Sequence, residues 1–284
     1  MTARNRFALA ALLLIAGIVA LAWVSAWVLA WVLAARTEQQ EKPPIGLMTS
    51  LPIYWGEAQR GEVFLGEGDA IKNALSADAP RHWVRESLEQ KYEIVPLDTL
   101  AAPDSVSPAQ ALHELPILIL AQPRPLVPAD FAAVDAWIGE GGIALIFADP
   151  LLTEHSAFAL GNPMRPEGAA LMSPVLARWG LQQVFDESQP VEPHSLSLEG
   201  LDIPVHQYGR FEFLEDGANF EGGKDPEEKR AECRLIAQAL IADCAIGKGR
   251  AVIVGDAAML DGHSESVTKQ AAFQAILKRT EIDR

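Results

Sequence analysis

The sequence predicts an α/β domain, a mostly parallel sheet with helices on both faces, preceded by one transmembrane helix. Three observations carry this. Phe7 to Ala35 is a run of 29 residues without a charge. Beyond it, short continuous apolar runs alternate with amphipathic helical patterns, the mark of strands buried on both faces. With 284 residues, 49% of them hydrophobic, the chain has ample apolar material for a core.

The uncharged run spans roughly 43 Å as a helix, against a hydrocarbon core of about 30 Å, so one tilted crossing fits. A cleavable signal peptide is the alternative, with Ala34 and Ala35 as small residues at the cleavage site. Its apolar region would be only ~7 to 15 residues long, so the uncleaved anchor is the expectation. Arg4 and Arg6 precede the run, while Arg36 is soon followed by Glu38 and Glu41. Positive-inside then leaves the N-terminus in the cytoplasm and the body outside it, in a periplasm if the source is a Gram-negative bacterium. The expected organisation is an anchor over 1–36, a polar linker ending in Pro43-Pro44 over 37–44, and an extracytoplasmic, periplasmic domain over 45–284 held at the inner membrane. Residues 37–284 carry 20 basic and 38 acidic side chains, a charge of −18, which phosphate backbones repel. Nucleic acid is excluded as a partner on that ground. Trp23, Trp27 and Trp31 share one helical face, as interfacial and lipid-contacting side chains.

Within the domain, Ile45 to Met48, Tyr92 to Pro96, Pro116 to Ala121 and Ile143 to Phe147 read as buried strands. Arg81 to Lys91 is helical, with Trp83, Val84 and Leu88 on one side. Pro128 to Glu140 is a punctuated helix: Pro128 suits its first turn, Asp130 complements the dipole, and Gly141-Gly142 suits a left-handed exit. After Pro150 the pattern loosens. Leu151 to Glu167 is rich in Pro and Gly, Ser173 to Trp179 is a short helix ended by Gly180, and Leu201 to Leu214 alternates enough for strands. Gly217 to Glu228 is a charged excursion; Cys233 to Cys244 and Arg250 to Val254 are further apolar runs, and Ser264 to Arg279 is the last helix.

Cys233 and Cys244 are symmetric about Gln238-Ala239. A hairpin turning there sets them opposite each other and permits a disulfide, whereas a helix holds the sulfurs roughly 16 Å apart and forbids it. Two buried free thiols are the third alternative.

Local spellings of catalytic motifs do not carry catalysis. Gly262 to Ser266 approaches a nucleophile elbow, but the strand it needs ends near Gly255, so Ser264 reads as the N-cap of the last helix. Asp261, His263 and Glu265 alternate on the same loop without a fourth ligand. Gly247-Lys248-Gly249-Arg250 precedes a strand and is a turn, not a phosphate loop. No cofactor is expected. Open α/β sheets hold ligands beyond the carboxyl ends of their strands. Tyr54, Trp55 and Glu57 after the first strand, Gln122 and Arg124 after the third, Asp149 after the fourth and Asp256 after the last are therefore the candidate crevice residues. The competing account has Asp149 and Asp256 capping turns and Tyr54 and Trp55 covering the sheet edge.

Four stretches carry a family resemblance: Leu51 to Glu57; Val134 to Ile138 with Gly141-Gly142; Ile143 to Pro150; and Gly247 to Asp256. They resemble bacterial membrane-anchored auxiliary proteins of uncharacterised ABC-type transport systems, similar to gliding-motility auxiliaries and, distantly, to the flavodoxin-like scaffold of class I glutamine amidotransferases. His263-Ser264-Glu265 matches those amidotransferases in spelling, but no elbow cysteine follows a strand. The resemblance thus implies a non-enzymatic, single-pass auxiliary subunit whose partners are ABC-type permease and ATPase subunits or other membrane proteins. The alternatives are an envelope hydrolase using Ser264 or Asp261, His263 and Glu265, and a carbohydrate- or peptide-binding module using Tyr54 and Trp55.

Overall fold

The computed structural model describes Gly17, Trp23, Val24, Trp27 and residues 42–55, 81–101, 112–156, 158–214, 231–262 and 266–281. The chain divides into two compact units, Met1–Lys42 and Pro43–Arg284. In the first unit Gly17, Trp23, Val24 and Trp27 are helical, and Trp23 and Trp27 are exposed. Among the described residues no helix is long and apolar enough to cross a membrane. The predicted span over 7–35 lies, those four apart, outside them.

The second unit is a mixed α/β domain around a seven-stranded, mostly parallel sheet. Its elements in order are β1 (Pro44–Thr49), α1 (Trp83–Glu89), β2 (Glu93–Pro96), β3 (Ile117–Ala121), α2 (Pro128–Glu140), β4 (Ile143–Phe147), α3 (Ser173–Arg178), β5 (Leu181–Phe185), β6 (His194–Leu198), β7 (Leu201–Val205), β8 (Gly209–Phe213), β9 (Glu232–Ile236), β10 (Ile241–Ile246), β11 (Gly249–Val254), a 3-10 turn (Ala258–Leu260) and α4 (Val267–Lys278). The sheet order is β2-β1-β3-β4-β11-β10-β9, with β2, β1, β3, β4 and β11 parallel and β10 and β9 added antiparallel.

Both sheet faces are buried, which is why the central strands read as unbroken apolar runs. Register aligns Leu47, Ile119, Leu145 and Val252 across four strands, and Met48, Leu120, Ile146 and Ile253 one residue further on. The first row packs under α1, α4 and the β6–β7 hairpin, with Trp83, Leu88, Phe273, Ile276, Leu196 and Ile203. The second packs under α2, α3 and the β5–β8 pair, with Val134, Trp137, Ile138, Leu176, Leu181 and Phe211. Phe273 joins the layers on its side, edge-on to Trp83 at 5.8 Å and stacked on Phe147 at 6.3 Å.

The α2 signals work as expected at its exit, where Gly141 sits at φ +127° and a side chain on Gly142 would meet the Trp137 ring at 2.3 Å. Asp130 does more than complement a dipole. Its carboxylate accepts from Leu100 N (2.9 Å), Ala101 N (2.8 Å), the Thr99 hydroxyl (2.9 Å) and Val127 N (3.2 Å). Burial pushes its pKa up, and these bonds outweigh burial and hold it below the ordinary value. Such a group stabilises the fold above the unfolded pKa and loses that contribution as pH falls through the depressed value. Asp130→Ala strands several buried donors and is expected to cost about 2–3 kcal/mol at neutral pH, read from urea unfolding, with the deficit against wild type shrinking in acid.

Between β9 and β10 the chain turns as a hairpin, Cys233 opposite Cys244, and the two form a disulfide. Ala237, Gln238 and Ala239 all take left-handed conformations, φ 50°, 56° and 64°. The turn is tied down from Leu240 N to Ala237 O (3.1 Å) and from Phe211 N to Ala239 O (2.8 Å). Closing so short a loop is worth about 2–3 kcal/mol by chain entropy. Replacing both cysteines by serine is expected to lower stability by that amount, and adding reductant to the wild type should reproduce the loss in a thermal melt.

One expectation is corrected, and two strands have no counterpart among the expectations. The last helix starts at Val267, not Ser264, and its N-cap is Ser266, whose hydroxyl accepts from Lys269 N at 3.1 Å. Strands β5 and β6 are not legible in the sequence: Gln182, Gln183 and the serines of His194–Leu198 carry no apolar run. The excursion over 217–228 lies outside the described residues.

Candidate functional site

The five parallel strands finish at one edge of the sheet, where the expected crevice residues follow them. From β1 the chain passes to β2 on one side and to β3 on the other, so the switch point lies beyond Thr49 and Ala121. Here the Thr49 hydroxyl donates to Ala121 O (2.7 Å), Ser50 N donates to Gln122 O (3.1 Å), and the Ser50 hydroxyl donates to that same carbonyl.

Gln122 is fully buried and left-handed, φ 47°, a conformation that costs a non-glycine residue on the order of 1 kcal/mol. Its side chain is fully used. The amide nitrogen donates to Asp149 O (3.1 Å) and Glu167 O (3.0 Å), and the amide oxygen accepts from Asp149 N (2.9 Å). It therefore extends the β3–β4 ladder by one side-chain rung. The Glu167 amide in turn donates to the Ser50 hydroxyl (3.0 Å), Leu152 N to Gly168 O (2.9 Å) and Ala170 N to Asp149 O (2.9 Å). The loop after β4 thus folds back as a strap, and its main chain around Glu167 occupies the switch point.

Asp149 and Asp256 end the adjacent strands β4 and β11, and neither has exposed surface. Asp149 accepts from Leu151 N (2.8 Å) and Ala257 N (3.2 Å); Asp256 accepts from His206 N (2.8 Å) and Ala258 N. Burial pushes Asp149 up to about 7, partly offset by its two backbone donors. Burial and then the Asp149 charge push Asp256 well above the carboxylate range, against the opposing bonds from His206 and Ala258. The pair cannot carry two charges in so dry a site, so it retains a proton near neutrality. Asp149 and Asp256 each bond a backbone amide two residues on, the local turn geometry for which Asp is suited.

Arg124 stands at the rim, ion-paired to Glu167 at 3.3 Å, and is 43% exposed. Tyr54 and Trp55 form a separate corner. Their rings meet edge-on at 5.3 Å, and the Arg85 guanidinium of α1 lies 4.5 Å over Tyr54 and donates to Tyr54 O (2.7 Å). Trp55 is 41% exposed. Glu57, His263, Ser264 and Glu265 lie outside the described residues. Asp261 is held by Lys269 at 3.1 Å, and its carbonyl accepts from Trp83 Nε1 at 3.0 Å.

The structure therefore brings Gln122, Asp149 and Asp256 together as a buried polar seam, sets Arg124 at its edge and keeps Tyr54 and Trp55 apart. Sequence reasoning missed Glu167, which fills the switch point through its main chain, and His206, whose ring accepts from or donates to Thr153 Oγ1 (2.7 Å) and lies against Val191 O (2.9 Å). No residue-type pattern signals a main-chain ligand. The seam holds one proton and anchors one strap; every named polar atom of Gln122 and both aspartates faces backbone. Among the described residues no group of three or more His, Cys, Asp or Glu side chains is placed to hold a metal ion.

The profile of a protein family described as an ABC-type uncharacterized transport system matches residues 42–187. No curated protein matches the chain. Similar solved structures include the β-galactosidase of Rahnella sp. R3, at 11% identity and TM-score 0.40, covering 84% of this chain and 31% of that one. The exo-β-1,4-mannosidase Op5Man5 of Opitutaceae bacterium strain TAV5 matches at 11% identity and TM-score 0.39, covering 86% and 35%. A ThuA-like protein of Bacteroides uniformis matches at 12% identity and TM-score 0.40, covering 84% and 91%. The chain spans about a third of the length of the two glycosidases it matches. Likeness at these scores bears on neither activity nor substrate.

Proposed function

Because the chain belongs to the family of ABC-type uncharacterized transport systems, we propose that it is a non-catalytic, membrane-anchored auxiliary subunit of such a system, with an extracytoplasmic domain that binds a partner. The observation that carries this reading is the filled switch point. Gln122, Asp149 and Asp256, which on an enzyme of open α/β build would face substrate, are spent on the main chain of the domain itself. The order of the parallel strands, β2-β1-β3-β4-β11, supports a flavodoxin-like, glutamine-amidotransferase-like scaffold used without catalytic apparatus.

Two features support the placement. The 29-residue uncharged run has the length of a membrane span rather than of a signal h-region. The Cys233–Cys244 disulfide is of a kind that persists outside the reducing cytoplasm. Purification of the tagged chain from native membranes in mild detergent tests the role. An ATPase and a permease are expected to co-purify in fixed proportion, and their absence under several extraction conditions would contradict it.

A second reading rests on one observation, the half-exposed Trp55 beside Tyr54, a pair suited to stacking on a sugar or peptide. A ligand-induced change in tryptophan fluorescence that survives Trp55→Ala unaltered would remove this site.

A further inference from the structure

The far edge of the sheet carries a cationic groove that the auxiliary reading does not use. On the face that carries the Leu47–Val252 row, a cavity of about 370 Å³ opens between Glu232 and Arg234 of β9, Asp243 of β10, and Lys248 and Arg250 at the next turn and strand. Of its two lining carboxylates, Glu232 is exposed and Asp243 is buried. Arg250 grips it through two bonds, 2.8 and 2.7 Å; Arg234 lies at 3.5 Å and Arg279, from the end of α4, at 4.0 Å. Burial pushes the Asp243 pKa up, but the Arg250 bonds and the three guanidiniums hold it below the ordinary value, so it is ionised and saturated.

Asp243, with Glu232 beside it in the lining and Glu199 on Arg279, balances the three guanidiniums, so the surplus positive charge is that of Lys248, which is exposed and makes no ion pair among the described residues. Arg279 is satisfied elsewhere, by Glu199 at 2.6 Å, but Arg234 is 69% exposed with only the long contact to Asp243. This occurs on a chain of net charge −15. At physiological ionic strength fields decay over about 8 Å, so at contact the groove acts through its own charges and not through the net charge.

Beside the groove, β9 is the last strand of the sheet, and among the described residues no strand pairs with its outer side. It is held rigid by the disulfide to β10 and by the tied turn at Ala237–Ala239. Arg234 projects on the groove face of this strand, directly opposite Asp243. A rigid open edge with an exposed arginine matches an incoming extended segment with an acidic side chain at one position, main-chain bonds supplying affinity and the charge pair the register.

We propose that the β9 edge and its groove dock an extended acidic segment of a partner protein, which adds as a strand and sets a carboxylate against Arg234. Glu232, two residues earlier on the same face, disfavours a second acid at that end. The site lies on the strand edge away from the polar seam, so it does not depend on the transport role.

The test uses the full chain in detergent and a fluorescently labelled nonapeptide alternating threonine and valine with glutamate at its centre. Anisotropy should show binding that weakens at least tenfold when the peptide glutamate becomes lysine, and that weakens further as salt is raised. Arg234→Glu with Lys248→Glu, both exposed and leaving the two short Arg250–Asp243 bonds in place, should cost at least tenfold while leaving the circular dichroism and the disulfide intact. The lysine peptide should regain affinity for that variant. Equal binding of both peptides, or binding indifferent to the charge reversal, would overturn the proposal. So would a concentration-dependent dimer of the wild type that the same substitutions abolish, since a second copy of the chain would then be the occupant.

Discussion

Asp256→Asn is expected to make the protein more stable at pH 8 and to flatten a pH profile that in the wild type runs opposite to ordinary acid denaturation. The sign follows from the raised pKa of Asp149. In the unfolded chain that carboxyl ionises near 3.8, whereas in the folded domain it keeps its proton to about 7. Between those values the folded state binds the extra proton, so stability falls as pH rises from about 4 to about 7, and the raised Asp256 carboxyl adds to the fall. For a shift of this size the loss is up to about 4 kcal/mol. An asparagine at 256 keeps an oxygen for His206 N, gives up the acceptor facing Ala258 N, and carries no charge at any pH. It also removes the like charge beside Asp149. Urea unfolding between pH 5 and pH 8 should show the wild type losing stability over this range and the variant, in which Asp149 alone still titrates, losing less. A wild-type profile that rises through this window would refute the shared-proton account.

Gln122→Ala should act on the strap before it acts on the core. The substitution leaves Asp149 N and Glu167 O without a partner, while Asp149 O keeps the bond from Ala170 N; the stranded groups are buried or partly buried. At about 1 kcal/mol or more for each stranded group, the expected cost is on the order of 2 kcal/mol. Alanine tolerates φ 47° no better than glutamine, so no strain is relieved in return. The strap's own ties, Leu152 N to Gly168 O and Ala170 N to Asp149 O, close a loop that would lose its anchor to β3. Hydrogen exchange at Glu167, Leu152 and Ala170 should accelerate far more than at Leu118 or Ile146 in the sheet, and limited proteolysis should cut first between 151 and 167. Uniform acceleration across strap and sheet would mean that the seam stabilises the whole domain and does not specifically hold the strap.

The central sheet was legible because its physics is local to each strand: Ile117–Ala121 and Ile143–Phe147 are buried on both faces, and such strands must be apolar throughout. The α2 helix was legible because Pro128 and Gly141-Gly142 mark its ends by backbone geometry. By contrast β5 and β6 lie outside the main sheet and face water on one side, with Gln and Ser at the open positions, so their apolar content is too thin to read. For the cysteines, hairpin and helix were equally compatible with the apolar run, and the left-handed triplet at Ala237–Ala239 that decides between them has no glycine to announce it. The site divided in the same way. That Gln122, Asp149 and Asp256 stand at strand ends followed from the strand positions alone. That Gln122 closes on the main chain of Glu167, 45 residues away, depends on the path of a Pro- and Gly-rich loop, which no periodicity encodes.

The non-catalytic reading meets its most direct test in the double variant Asp149→Asn with Asp256→Asn, expressed in a strain deleted for the wild-type gene. If the seam only holds the domain together, the folded variant will co-purify with the same transport subunits and restore the deletion phenotype to the wild-type level. A variant that folds, keeps its disulfide and its partners, and yet fails to restore function would contradict that reading and assign chemistry to the buried acid pair.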